Sequence, residues 1–309
     1  MIYNPHECTL CPRGCRADRT VGAGFCRAPD AAAVERVMLH RFEEPVISGN
    51  DPSRGSGAVF FGGCTMRCVY CQNSAISRSA VGERLSPDAL ARLFLSLRKD
   101  GAYNINLVSP TPYMPYILDA LGICAGELEI PVVWNTGGYE TPETVRAAAP
   151  DVGVWLADVK YASGELSAKY SAAPDYPDRA FRALRTMADC AGAPEFYTDG
   201  TARIIRRGVI VRHLCLPGHR RDTEAVLRRL AAEFDPGEVL LSLMNQYTPG
   251  FAPPEYKNLS RRLTTYEYEC ALELADKLGF EGFSQERSSS TAAYTPDFRG
   301  DESTGENFR

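Results

Sequence analysis

The segment Ala58-Val59-Phe60-Phe61-Gly62-Gly63-Cys64-Thr65-Met66-Arg67-Cys68-Val69-Tyr70-Cys71-Gln72-Asn73 joins an apolar run to three closely spaced cysteines. The run is short and rich in β-formers, which predicts a buried strand, and the two glycines end it. Cys64, Cys68 and Cys71 then follow the pattern C-x3-C-x2-C within eight residues. Three thiolates so placed can hold three corners of a four-iron cluster and leave one iron open for chemistry. A structural zinc site would need a fourth ligand, and no Cys or His follows Cys71 within easy reach. Buried, unliganded thiols account less well for such tight spacing.

A second group lies upstream. Cys8, Cys11, Cys15 and Cys26 read C-x2-C-x3-C-x10-C, with Pro12, Gly14, Gly22 and Gly24 supplying turns. So few apolar residues surround them that residues 1–30 read as a knuckle folded around metal. A closed zinc site, a rubredoxin-like iron or an auxiliary iron–sulfur cluster would each use these four thiolates. Free surface thiols fit less well, because they invite oxidation. The remaining cysteines, Cys124, Cys190, Cys215 and Cys270, are scattered through helix- or strand-like segments and read as small buried hydrophobes.

Beyond residue 57 the pattern alternates. Apolar, β-branched runs at 58–61, 104–109, 131–135, 152–159, 208–216 and 238–244 are separated by stretches of helical spacing, which predicts parallel strands joined by helical crossovers. One helix is explicit: Ser86 as N-cap, Pro87 at its first position, leucines at 90, 93, 95 and 97, and a stop at Gly101. Residues 264–278 predict another. Six strand–helix units predict an α/β fold, a partial (β/α)6 barrel over 57–285, with 31–56 a linker packed on it. Functional residues of such barrels gather at the carboxyl ends of strands. The tail 286–309 is polar and reads as disordered, with 294–298 able to dock back.

The chain has 309 residues, 44% hydrophobic and 24% charged, with a formal net charge of −5, ordinary for a soluble globular protein. That balance argues against a nucleic-acid surface, and Arg203, Arg206 and Arg207 read as a solvated face. No apolar stretch approaches a membrane span, and residues 1–7 lack the order of a signal peptide, so the expected location is cytoplasmic.

With its aromatic before the last cysteine, the Cys64–Cys71 motif resembles that of the radical S-adenosylmethionine (SAM) superfamily. The resemblance implies a [4Fe-4S] cluster, SAM chelated to its open iron, and reductive cleavage to a 5′-deoxyadenosyl radical that abstracts hydrogen. Tyr70, Gln72 and Asn73 would then shield the cluster or contact adenine and ribose. After the second strand the superfamily often carries Gly-Gly-Glu; here Ser109 and Thr111 stand in that region, where their hydroxyls can accept from the SAM ammonium. Asn135-Thr136 and Asp158-Val159-Lys160 resemble strand ends of the pyruvate formate-lyase activating enzyme. By that likeness Asn135, Thr136 and Asp158 would hold a small monovalent cation, and Lys160 would reach SAM. Val211-Arg212-His213-Leu214-Cys215-Leu216-Pro217-Gly218 resembles another strand of that enzyme and would aim Arg212 at the SAM carboxylate. His213 alternates to the opposite side. Gln246 and Tyr247 are further candidate contacts.

The branch resembled also shares Cys8-Thr9-Leu10-Cys11-Pro12-Arg13, Glu43-Glu44-Pro45-Val46-Ile47-Ser48-Gly49 and Met244-Asn245-Gln246-Tyr247. It implies an electron donor of flavodoxin or ferredoxin type. The expected substrate is a glycine of a glycyl radical enzyme, or alternatively a small metabolite or peptide. A non-enzymatic iron–sulfur or electron-transfer protein is the third reading.

Overall fold

A computed structural model describes residues 3–284, so the tail readings at 286–309 fall outside the described residues. Residues 3–31 form turns without helix or strand, as their proline, glycine and cysteine content predicts. β1 (Ala32–His40) and β2 (Gly55–Phe61) follow, with the short helix α1 (Pro45–Ser48) between them. After the cysteine loop come α2 (Ser74–Ser77) and β3 (Glu83–Leu85), then α3 (Pro87–Lys99), β4 (Ala102–Val108), α4 (Met114–Cys124) and β5 (Val132–Thr136). α5 (Pro142–Ala148), β6 (Val154–Asp158), α6 (Gly164–Ser171), α7 (Tyr176–Ala191), β7 (Glu195–Asp199) and β8 (Ala202–Leu214) continue the chain. α8 (Arg220–Glu233), β9 (Leu240–Met244), α9 (Thr265–Lys277) and β10 (Gly282–Ser284) complete it.

The six expected strands are β2, β4, β5, β6, β8 and β9, paired parallel in that spatial order. β10 extends them in parallel beside β9, while β1 runs antiparallel to β2 and carries β3 on its outer side. The sheet is therefore mixed at its edges and open rather than closed. Residues 31–56, read as a linker, contain β1. Its middle is only half-buried and carries Glu35 and Arg36, so no apolar run announces it. β8 begins six residues before the expected 208, because Arg203, Arg206 and Arg207 project from its hairpin with β7 and break the hydrophobic pattern. These arginines are exposed, as a solvated face requires.

Period two sorts each parallel strand onto two faces. Trp134, Trp155, Val209, Val211, Leu241 and Leu243 join the core under the surrounding helices. Val133, Val154, Leu156, Ile210 and Leu240 face inward and meet Val46 and Ile47 of α1, which closes the bottom of the partial barrel. α3 buries Leu90, Leu93, Phe94 and Leu97, while its N-cap Ser86 accepts from Ala89 N–H. Full burial of each such side chain stabilises by about 1.5–3 kcal/mol. Thr264 and Glu267 form a capping box that starts α9 at its expected place. With its bottom filled by these side chains, the barrel opens into a cleft at the strands' carboxyl ends.

Candidate active site

The cysteine loop leaves β2 through Gly63, whose φ of +74° and whose packing both exclude a side chain: a Cβ there would lie 2.2 Å from Cys26 O. Cys64, Cys68 and Cys71 line a cavity of about 230 Å³ at the barrel mouth. Each sulfur accepts one hydrogen bond: Cys64 Sγ from Met66 N–H at 3.4 Å, Cys68 Sγ from Ser171 Oγ at 3.1 Å, and Cys71 Sγ from Ser77 Oγ at 3.5 Å. Three soft donors with hydrogen-bonded sulfurs, facing a shared cavity, suit an iron–sulfur cluster. Burial pushes the Cys64 thiol up to about 12 and raises Cys71 as well, so ligation here must displace protons from thiols.

The opposite wall is built from strand ends. Asp158 and Arg212 are register partners on β6 and β8, and Arg212 Nε donates to Asp158 Oδ1 at 2.9 Å. Arg212 also donates to Glu43 Oε2 at 3.2 Å and to Asn135 Oδ1 at 2.5 Å. Three of the five guanidinium N–H bonds are thus engaged inside the protein, while Arg212 still lines the cavity. Lys160 Nζ donates to Asp158 Oδ2 at 2.5 Å. Burial disfavours the Asp158 carboxylate, yet Arg212 and Lys160 outweigh it and hold Asp158 below the usual range. Burial likewise opposes the charge on Lys160, and Asp158 overcomes it, keeping the ammonium protonated.

Thr136 Oγ1 donates to Glu140, and Thr111 Oγ1 donates to the same carboxylate oxygen at 2.6 Å. Thr111 is not among the residues that line the cavity, and its hydroxyl donates to Glu140. Burial raises the Glu140 carboxyl. The oxygens expected to hold a cation, from Asn135, Thr136 and Asp158, all engage protein groups, and two cationic side chains already stand beside them. Between these residues Gly138 turns with φ +77°, where a Cβ would meet Asp158 O at 2.2 Å. Ser109, at the end of β4, takes φ +60° on the cavity wall, a left-handed conformation that costs a non-glycine residue about 1–3 kcal/mol.

Tyr70, Gln72 and Asn73 also line the cavity, together with Gln246 and Tyr247, and Gln72 Nε2 donates to Gln246 O at 3.3 Å. His213 points away, as alternation predicts. It is buried between Val159 O (2.7 Å) and Thr223 Oγ1 (2.9 Å), and burial lowers it to about 4, so it is a neutral packing residue.

The four knuckle cysteines stand near enough that Cys26, Cys8 and Cys15 each disfavour a thiolate on Cys11, although burial is the larger cause of its raised value. Among the described residues no three His, Cys, Asp or Glu side chains are set closely enough for a single metal ion. A four-iron cluster, whose corners are separate irons, spreads its thiolates more widely. Of the scattered cysteines, Cys124 and Cys215 are buried, while Cys190 and Cys270 are half-buried.

Sequence reasoning missed Glu43, Glu140, Tyr161 and Ser171. Glu43 opens the shared segment 43–49 before α1, but it lies far in sequence from the strands it serves, so nothing local places it beside Arg212. Glu140 follows the recognised turn by two residues and could have been suspected from its place at a strand end. Ser171 and Tyr161 belong to an ordinary loop–helix segment, and only tertiary contact gives them a role.

The fold and cleft together define an open, partial-barrel α/β protein whose strand ends face a three-thiol iron–sulfur motif. Residues 58–230 match the family model described as the radical SAM superfamily. A curated but uncharacterised protein of Methanocaldococcus jannaschii is 30% identical over 285 residues, covering 89% of this chain and 76% of that one. The chain belongs to the radical SAM superfamily, which implies a [4Fe-4S] cluster and SAM. Among solved structures, a radical SAM methyltransferase from Sphaerobacter thermophilus shares the fold at TM-score 0.55 and 13% identity, over 80% of this chain and 70% of that one. Streptococcus suis SuiB bound to its precursor peptide SuiA gives TM-score 0.51 at 11% identity, over 74% of this chain and 48% of SuiB. The chain thus spans about half the length of SuiB. Among the described residues no helix is long and apolar enough to cross a membrane.

Proposed function

We propose that this protein reductively cleaves SAM and directs the resulting radical to a glycine of a partner enzyme, as an activating enzyme does. The observation that carries the proposal is the gathering of Asp158, Lys160, Arg212 and Asn135 on one wall of the cavity whose other wall holds Cys64, Cys68 and Cys71. Cys64, Cys68 and Cys71 would hold the four-iron cluster, which would supply the single electron needed to cleave SAM reductively to methionine and a hydrogen-abstracting 5′-deoxyadenosyl radical.

The chain's own residues bind and orient. Lys160, kept cationic by Asp158, is the group able to turn toward a ligand carboxylate without leaving its partner uncompensated, since Arg212 continues to neutralise Asp158. Together Arg212 and Lys160 provide the positive charge that a small cation would bring, so this reading dispenses with one. Tyr70, Gln72 and Asn73 flank the cavity where an adenine and ribose would lie, and Ser109 offers a hydroxyl at its rim. A flavodoxin or ferredoxin is the class of donor suited to a single low-potential electron.

A second reading, hydrogen abstraction from a peptide or small metabolite, is favoured by a specific feature. Only α2, β3 and α3 lie between Cys71 and β4, so no ferredoxin-like module is inserted there, and the accessory cysteines are at the N-terminal side instead. Deuterium transfer separates the two readings. With a candidate partner carrying deuterated glycine, label should appear in 5′-deoxyadenosine; label arriving only from a deuterated peptide or metabolite would replace the first reading with the second.

A further inference from the structure

The knuckle and the cluster loop are joined by residues that flank the thiols of each. Arg13, between Cys11 and Cys15, donates through Nε to Thr65 O, beside Cys64, at 2.8 Å. Its other nitrogens donate to Ser171 O at 3.1 Å and to Ala172 O, at the end of α6. The same guanidinium lies 3.8 Å from the ring centroid of Phe25, the residue before Cys26. Arg67, the residue before Cys68, stacks on that ring at 4.0 Å and donates to Phe25 O at 2.7 Å.

Ser171 is held at both ends. Its carbonyl receives Arg13, and its hydroxyl donates to Cys68 Sγ at 3.1 Å. Because that hydroxyl has a single proton, the contact between Tyr161 and Ser171 (2.8 Å) must run from Tyr161, and the contact between Tyr70 and Tyr161 (2.7 Å) must run from Tyr70. Three O–H groups therefore point in one direction, toward the sulfur, and aligned hydrogen bonds polarise one another. A donor aimed at a cluster sulfur favours the more negative, reduced cluster, so such bonds set reduction potential.

We propose that Arg13 is a positioning residue through which the knuckle holds Ser171 on Cys68 and so raises the reduction potential of the cluster that these thiolates would bind. The inference rests on the cluster being held by Cys64, Cys68 and Cys71. Its consequence is that the order of the knuckle, and with it any metal its four thiolates take, controls how readily the cluster accepts its electron, without the knuckle itself carrying that electron.

The test is an anaerobic redox titration of the reconstituted full chain, followed by electron paramagnetic resonance of the reduced cluster. Ser171→Ala should move the midpoint to a more negative potential by about tenfold in the oxidised-to-reduced ratio, the loss of one charge-assisted hydrogen bond, or about 59 mV for one electron. Arg13→Ala and Cys15→Ser should move it the same way by less. The double variant Arg13→Ala/Ser171→Ala should match Ser171→Ala alone, because the two act along one path. Should Arg13→Ala fail to fold, Arg13→Lys, which keeps the charge but loses the fork, must show the shift. An unchanged midpoint in the Arg13 and Cys15 variants, or additive shifts in the double variant, overturns the proposal while leaving the cluster assignment intact. Absence of a reduced-cluster signal in the unaltered protein overturns both.

Discussion

The two cysteine groups of this chain look alike on paper and differ in their surroundings. Cys64, Cys68 and Cys71 lie at a strand end, open onto a cavity, face a wall of two cations and their carboxylate partners, and take hydrogen bonds from separate elements on each sulfur. Cys8, Cys11, Cys15 and Cys26 lie in turns outside the barrel, with Cys15 exposed and one buried cation, Arg19, close to Cys8 and Cys26. Spacing alone makes both look like ligand sets; surroundings separate the group that opens onto a cavity from the group that lies in turns. The contrast also accounts for the ligand number. A set of three leaves a corner for substrate, whereas four thiolates can close their site.

The largest expected effect breaks this comparison directly. Cys68→Ala should lose essentially all cluster iron, whereas Cys15→Ala should lose only the knuckle metal, as read by iron, zinc and sulfide analysis of each reconstituted variant. Equal loss in both would mean that the groups are not separable. Next comes the charged wall of the cavity. Asp158→Asn removes the partner shared by Arg212 and Lys160, and breaking a buried pair in this way costs about 3–5 kcal/mol, to be measured as a shift in the denaturant midpoint.

A pH effect of similar or smaller size belongs to the barrel side. His213 titrates at about 4 in the folded protein because burial disfavours its charge, against an ordinary value of about 6.5. The unfolded chain therefore takes up the proton first. Stability from this group is complete above about pH 6.5 and falls as pH drops toward 4, by about 3 kcal/mol in total. His213→Gln should flatten that part of the stability profile; a slope left unchanged would assign it to other groups. The smallest effect serves as a control remote from both cysteine groups. Thr264→Ala removes one half of the α9 capping box and should cost about 1 kcal/mol in thermal unfolding, with no change in iron content.

How far the sequence could be read follows the same division. β4 and β5 are buried throughout and rich in aliphatic, β-branched and aromatic residues despite Asn104, Asn106 and Asn135, so the parallel core was legible. β1 was not, because a half-buried edge strand carries charges that mask its period. At the site, residues placed on strand ends by period two, such as Asp158 and Arg212, were legible. The partners that decide their electrostatics were not. Glu43 reaches Arg212 from the turn before α1, and Ser171 reaches Cys68 from the end of α6, contacts spanning 169 and 103 positions. No local pattern reports these. Arg212 shows the division: its direction followed from the strand, but its partners Glu43 and Asn135 did not.

The central claim is that the Cys64–Cys71 loop and the facing wall together cleave SAM, and its most direct test is product analysis under anaerobic conditions. Reconstituted protein, reduced with dithionite and supplied with SAM, should form 5′-deoxyadenosine and methionine. That product should vanish when any one of Cys64, Cys68 or Cys71 is replaced by alanine. A protein that shows the intact, reducible cluster yet forms no 5′-deoxyadenosine would contradict the account.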